Sequence, residues 1–391
     1  MRKLTADNIF SGNRGWLKDT VIVIDDSGHI LALKDRKEFS PNEYEYFPGI
    51  LLPGFVNAHC HLELSHLYGR FQTGTQLLPF LKSVVQNREV DPDFVLQKIQ
   101  EADQNMWKEG IVAVGDISNK TDTIQCKLSS PIYYHTFVEA FDFLQESQAV
   151  VFFQAYKLVY EAFGNLPKTM VPHAPYSVSR VLFSMINNLN SGTSAISSIH
   201  NQECIDEDLL FINKTGGFVS FWESFGFSME AFNPIAKDSV YYTMEHLNAN
   251  HPVLFIHNTQ TKKDHIESIL NWNPKSYFVT CPNANLFIEN QLPDYTQFEN
   301  ACMCIGTDSL SSNWQLSILS EIKTILKHQS YLPLEEVLRW ATFHGAQALN
   351  ISDWAGSIDL YKKPGINWIQ DVEFFENACL LKPEAKIQKI S

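Results

Sequence analysis

Charge is sparse in this chain: only 19% of its 391 residues are charged, and 30 Lys+Arg against 44 Asp+Glu leave a formal net charge of -14. An acidic excess of that size works against a phosphate backbone or an anionic bilayer, so neither nucleic acid nor membrane is expected as the main partner. Cysteine is scarce as well. The seven (60, 126, 204, 281, 302, 304 and 379) are odd in number, scattered, and include no CxxC pair, which argues against a disulfide framework and against a cysteine zinc cage. No stretch reaches the roughly 18 to 20 apolar residues that span a bilayer, and MRKLTADNIFSGNRGW lacks the apolar run of a secretory signal. Low-complexity tracts, charge runs and repeats of about 20 to 50 residues are missing too. The expectation is a cytoplasmic globular protein acting on a small molecule, with a homodimer left open.

Apolar material is plentiful: 45% of residues are hydrophobic and 13% aromatic, with 27 Phe. Eight short apolar runs recur between residues 51 and 307, separated by segments of helical character such as FVLQKIQEADQNMWKEG. They are ILLPGFVNAH, GIVAVGDIS, PIYYHTFVEA, KTMVPHAP, ISSIH, VLFIH, SYFVTCP and CMCIGTD. Alternation of that kind is how a parallel βα fold writes itself, and eight units predict a (β/α)₈ TIM barrel over residues 51–355. The flanks read differently. TVIVIDDSGHILALKD has the alternation and turn residues of a β-hairpin, and NWIQDVEFF reads as short strands. Residues 1–50 with 356–391 are therefore expected to form a small β-sandwich domain beside the barrel.

Histidine is the informative residue. His59 and His61 follow directly on the first run, and in an extended chain residues i and i+2 project to one face, so two imidazoles converge while Cys60 points away. His200, His257 and Asp308 close the fifth, sixth and eighth runs. All strand ends of that polarity open on one face of a barrel, where catalytic residues collect. Three neutral imidazoles and a carboxylate suit one first-row divalent ion, with Zn²⁺ the first expectation and Fe²⁺ the alternative. A second metal commonly needs a bridging lysine carbamate, and the fourth run ends in Pro-His-Ala-Pro-Tyr with no Lys at its tip.

Taken together, PGFVNAHCHLELS, PHAPYSVS, the step from His200 to Glu203, FIHN, GTDSLSSN and ATFHGAQALNISDWAGSI resemble the amidohydrolase superfamily. The resemblance is to its mononuclear-metal branch of cytosine, guanine, S-adenosylhomocysteine and aminodeoxyfutalosine deaminases, and it covers nearly the whole chain. It implies that His59, His61, His200 and Asp308 are metal ligands, Glu203 the proton shuttle, His257 the residue orienting the attacking water, and His173 a substrate contact.

The chemistry built from the residues agrees. Displacing ammonia from an amidine carbon needs hydroxide at neutral pH, which a metal supplies by lowering the pKa of water toward ~7. Asp308 can take the water proton, Glu203 can protonate a ring nitrogen if its own proton is retained, and His257 can hydrogen-bond the developing charge. The reading is a metal-dependent hydrolytic deaminase of a purine-like or related amino-heteroaromatic compound, with an aminodeoxyfutalosine-type nucleoside as one candidate. The alternatives are a metallohydrolase of cyclic amides or chloro-heteroaromatics and a non-catalytic scaffold, which the filled ligand positions disfavour. Nucleoside-directed relatives often carry a Glu before Trp-Leu where this chain has Gln76, so ribose recognition of that type is not expected. GGFVSFWESFGFSMEAFNP, from Gly216 to Pro234, reads equally as an aromatic lid or as ordinary packing. His135 is expected as a satisfied core residue, His246 and His344 as structural, and His29, His66, His251, His265 and His328 in loops or on helix surfaces.

Overall fold

A computed structural model describes residues 1–233, 236–375 and 379–391. Eight strands fall within the eight apolar runs: β1 Phe55–Cys60, β2 Ile111–Ser118, β3 Tyr133–Ala140, β4 Lys168–Pro172, β5 Ser197–Asn201, β6 Val253–His257, β7 Ser276–Thr280 and β8 Met303–Ile305. They form two four-stranded sheets, β1 to β4 and β5 to β8, each all-parallel and in sequential order. Hydrogen bonds continue between the sheets on both sides. The His200 amide donates to the His173 carbonyl at 2.9 Å, and the Thr307 and Asp308 amides donate to the His59 carbonyl at 3.0 and 3.1 Å. Parallel strands need a long return path, and helices such as Pro92–Lys108 and Arg180–Asn190 supply it.

The strands are buried on both faces, which is why they read as continuous apolar runs. One face of each packs on helices. The other contributes to a single enclosed cluster that includes Val56, Ala113, Phe137, Val171, Ile256, Val279 and Cys304, from seven of the eight strands, with Leu349 and Ile351.

The flanking segments share one seven-stranded sheet, ordered Ile387–Lys389, Ile366–Ile369, Glu45–Pro53, Arg2–Phe10, Thr20–Ile24 and Ile30–Asp35, with Trp16–Leu17 on Arg2–Phe10. Two differences from the sequence reading appear here. The expected two-layer sandwich is, among the described residues, a single sheet with a separate hairpin of Val372–Phe374 and Cys379–Leu381. The run ILLPGFVNAH also belongs to two strands: its first four residues finish Glu45–Pro53, and Gly54 separates them from β1. A Cβ on Gly54 would lie 2.3 Å from a Val112 methyl, so only glycine lets the chain pass. No helix among the described residues is long and apolar enough to cross a membrane.

Candidate active site

The C-terminal ends of the strands bring together His59, His61, His173, His200, Glu203, His257 and Asp308, all but His173 under a tenth exposed. His59 and His61 do converge. Their Nε2 atoms lie 3.1 Å apart, while Cys60 packs into the helix-facing core. Asp308 Oδ1 lies 3.4 Å from His61 Nε2 and 3.7 Å from His59 Nε2. Two groups, His59–His61–Asp308 and His59–His200–His257, each place their ligand atoms within 4.8 Å of one another.

Local backbone explains the aim of these side chains. His257 (φ 72°) and Asn258 (φ 59°) are consecutive left-handed residues ending β6, and Asp308 has φ 56° after β8. Non-glycine residues there are strained and persist only where surroundings enforce them. The Asn258 side chain does so by donating from Nδ2 to the Phe255 and Val279 carbonyls at 2.8 and 3.1 Å. Asp308 Oδ2 accepts from Ser312 Oγ at 2.5 Å and the Asp308 amide donates to His59, so this carboxylate is fixed from both ends.

On His200 and His257 the outer ring nitrogen sets the tautomer, whereas His59 Nδ1 is buried without a partner. His200 Nδ1 donates to the His173 carbonyl at 2.9 Å, with Glu139 Oε1 at 3.3 Å, and His257 Nδ1 donates to Asn285 Oδ1 at 2.7 Å. In its neutral form each ring therefore leaves Nε2 free, the state that a metal requires of imidazole. Burial lowers the pKa of His59, His61, His173 and His257 to about 4. Burial also opposes charge on His200, but the hydrogen bond and charge of Glu139 outweigh it and raise the value to about 9. Asp308 is pushed upward by burial and further downward by the surrounding imidazoles, so it stays ionised. Two facing imidazole nitrogens, two more bare nitrogens and an ionised carboxylate, all buried, fit a divalent cation.

Glu203 is a buried carboxyl and not a solvated one. It is 3% exposed, precedes the N-cap Cys204, and has Oε2 3.7 Å from His257 Nε2. Burial raises its pKa well above the ordinary carboxylate range. The Gln202 and Glu203 amides donate to Glu207 at 2.9 and 2.7 Å, and Thr259 Oγ1 donates to the Glu203 carbonyl at 2.5 Å, which locks this turn. His173 donates or accepts through Nδ1 at Ser177 Oγ, 2.6 Å away, and lines the cavity above the cluster.

That cavity, of about 210 Å³, has a floor of His61, His200, Glu203, His257 and Asp308 and largely apolar walls. Leu77, Phe80 and Val84 come from helix Leu77–Asn87, and Phe141 and Phe143 follow β3. Phe221, Trp222, Phe225 and Phe227 come from the aromatic excursion. The excursion packs against the barrel and also reaches the cavity: Phe218 stacks on Tyr176 at 4.1 Å, while Phe227 stacks on Phe143 at 4.2 Å and lines the cavity. Pro234, its last residue, lies outside the described residues. Gln76 caps the wall helix and is not a lining residue.

Three functional neighbours went unnoticed in the sequence. Glu139 is a charged residue in an otherwise buried strand end, Asn285 a polar residue in the apolar turn after β7, and Glu207 one of several acids opening a helix. Only the first two carry a signal, a polar side chain where packing alone asks for an apolar one. Two histidines assigned to loops or surfaces are buried: His66 lies 3.1 Å from the Arg88 carbonyl and His265 Nε2 3.2 Å from Asp238. His135 is the satisfied core histidine expected, 3.0 Å from Thr169 Oγ1.

A buried imidazole and carboxylate cluster at the strand ends, beside a carboxyl that keeps its proton, defines a hydrolase that works with a divalent metal. The chain belongs to the amidohydrolase family, whose model matches residues 50–379. It is 28% identical over 329 residues to an adenosine deaminase of Helicobacter pylori, covering 81% of this chain and 78% of that protein. It is 26% identical over 285 residues to an aminodeoxyfutalosine deaminase of Nitratiruptor, covering 71% and 67%. A crystal structure of Helicobacter pylori aminofutalosine deaminase in complex with methylthio-coformycin superposes with a TM-score of 0.78 at 23% identity, over 96% of this chain and 93% of that one. The chain is accordingly a hydrolase of carbon–nitrogen bonds, of the deaminase kind.

Proposed function

We propose that this hydrolytic deaminase holds one zinc ion between His59, His61, His200 and Asp308 and removes the exocyclic amine of a purine nucleoside. The observation that carries the reading is the pairing, on one cavity floor, of a metal-competent cluster with Glu203, a carboxyl buried and protonated. The eight parallel strands are read as a closed (β/α)₈ barrel, residues 51–355, with 1–50 and 356–391 as a separate β domain. Hydrogen bonds across both seams and the shared enclosed cluster support that closure.

A divalent ion held there would supply Lewis acidity, lowering the pKa of a water toward about 7. Asp308, ionised and 3.4 Å from His61, takes a proton from that water. Glu203 gives its proton to the ring nitrogen adjoining the amine-bearing carbon as the water oxygen bonds to that carbon. A proton returned through the same carboxylates lets the amine leave as ammonia, and the ring keeps a carbonyl. His257, held by Asn285, hydrogen-bonds the incoming oxygen, and His173 contacts the ring from the β4 side. The substrate favoured is an aminodeoxyfutalosine-type nucleoside, because the named relatives act on adenine nucleosides and the cavity walls are aromatic. Ammonia release from adenine, guanine, adenosine and aminodeoxyfutalosine is the test: the two nucleosides are expected to turn over at least ~10-fold faster in kcat/KM than the free bases. Equal rates on all four would remove the nucleoside assignment.

About one metal equivalent per chain is expected by elemental analysis. Two tightly held equivalents, or none with activity intact after chelation, would end the mononuclear scheme. Zinc must also displace the proton that Glu139 keeps on His200 up to about pH 9. Affinity is thus lost as pH falls below 9, by about tenfold per unit down to about pH 5, where the other imidazoles begin to titrate. Calorimetry in buffers of different ionisation heat should register about one proton released per zinc at pH 7.

A further inference from the structure

Outside the cavity floor, one pair of buried charges has no part in the mechanism. Lys127, on the short helix Ile124–Ser129, and Asp116, near the end of β2, both have side chains with no exposed surface, and Lys127 Nζ lies 2.5 Å from Asp116 Oδ2. Lys127 also donates to Thr136 Oγ1 at 2.9 Å and Ser118 Oγ at 3.2 Å, and its charge lies 5.0 and 5.5 Å from the Phe163 and Tyr134 ring centroids. Every ammonium proton has a partner, so this lysine has one position. Such a pair is a poor way to gain stability, because apolar side chains of similar volume often serve as well or better.

The second oxygen of Asp116 shows what the pair does. Asp116 Oδ1 accepts the backbone amide of Leu62 at 2.8 Å, the residue directly after His61. The regular β1–β2 ladder breaks between Asn57 and Cys60, the stretch that contains His59. The ladder resumes at Cys60, opposite Asp116, and beyond Cys60 the chain leaves the sheet, where the Asp116 side chain takes over as anchor for the Leu62 amide. We propose that the Lys127–Asp116 pair is a brace that sets the position of the His59-x-His61 step and thereby its affinity for metal. Asp116 and Lys127 are positioning residues, and the inference rests on the reading of His59 and His61 as ligands. A carboxylate suits this place because its two oxygens serve both partners at once, and Lys127, 2.5 Å away with no exposed surface, fixes its orientation through a charge-assisted hydrogen bond.

The test uses the full chain, stripped of metal and titrated with Zn²⁺ against a chromophoric chelator, and with Co²⁺ for its visible absorption. D116L/K127M removes both charges and the acceptor together, so no buried charge is left unpaired. Its metal-free melting temperature is expected within a few degrees of wild type, while its zinc Kd rises about 10- to 100-fold, the usual effect of losing a group that orients a ligand. Its Co²⁺ spectrum should change in intensity and position. D116N/K127M, which keeps a neutral acceptor for the Leu62 amide but lacks both charges, should recover only part of the affinity. Wild-type affinity and an unchanged Co²⁺ spectrum in D116L/K127M would overturn the brace, as would an Asn variant no better than the Leu one. If leucine prevents folding, D116A/K127M carries the same comparison. A wild-type chain that binds no zinc overturns the ligand reading itself, and the brace with it.

Discussion

Replacing Glu203 by glutamine is expected to leave metal content unchanged and reduce kcat by at least ~10²-fold. The amide occupies the same volume, and the backbone turn that carries it is held by Glu207 and Thr259, neither of which touches the altered side chain group. What disappears is the proton. Burial raises the pKa of the Glu203 carboxyl well above the ordinary carboxylate range and so favours retention of its proton, and a glutamine has none to give to the ring nitrogen. The pH profile supplies an independent sign: turnover by the native chain should fall as pH rises through the raised pKa of Glu203, and that alkaline limb should be missing from the residual activity of Glu203→Gln. Turnover within a few-fold of native would show that the carboxyl has no part in proton transfer.

His257→Asn is expected to lower kcat by about 10- to 100-fold while the protein retains about one metal equivalent. The outcome is not obvious from distance, because ring nitrogens of His59, His200 and His257 all lie within 4.8 Å of one another. Chemistry separates them. His59, His61, His200 and Asp308 already make four donors, the usual number for zinc, and His257 Nε2 lies 3.7 Å from Glu203 Oε2, on the side where the incoming oxygen must pass. Metal content and kcat measured on one preparation decide the matter. Metal lost in step with activity would make His257 a ligand.

These residues also show how much was legible beforehand. Strands buried on both faces write themselves as uninterrupted apolar runs, so all eight were visible, and a histidine or aspartate closing such a run is conspicuous because packing gives no reason for it. The helix-facing fate of Cys60 followed from the two-residue period alone. Other features depend on contacts between distant segments. Asn285 matters because it meets His257, and Asp116 because it meets Leu62, 54 residues earlier. Nothing local to DIS or PNANL announces either partner. His66 and His265 were misplaced for the same reason: a polar residue in a polar stretch reads as surface until its acceptor arrives from another part of the chain. The flanking strands were recognisable, but whether they would lie in one layer or two is a matter of pairing order, which alternation does not encode.

That pairing order bears on how the molecule comes into being. Strand Glu45–Pro53 lies between Arg2–Phe10 and Ile366–Ile369, and Trp368 Nε1 donates to the Pro48 carbonyl across 320 residues of sequence. At synthesis rates of about 5 to 20 residues per second, roughly 15 to 60 s separate the emergence of those two strands from the ribosome. For all of that interval the strand leading directly into His59 has one open edge, with Ile50, Leu51 and Leu52 awaiting the partner that will cover them. A nascent chain in that state is a candidate for chaperone capture or for pairing with its neighbours on a polysome. Slowing translation between residues 53 and 366 should therefore lower the yield of soluble enzyme, without altering the activity of the molecules that do complete the sheet.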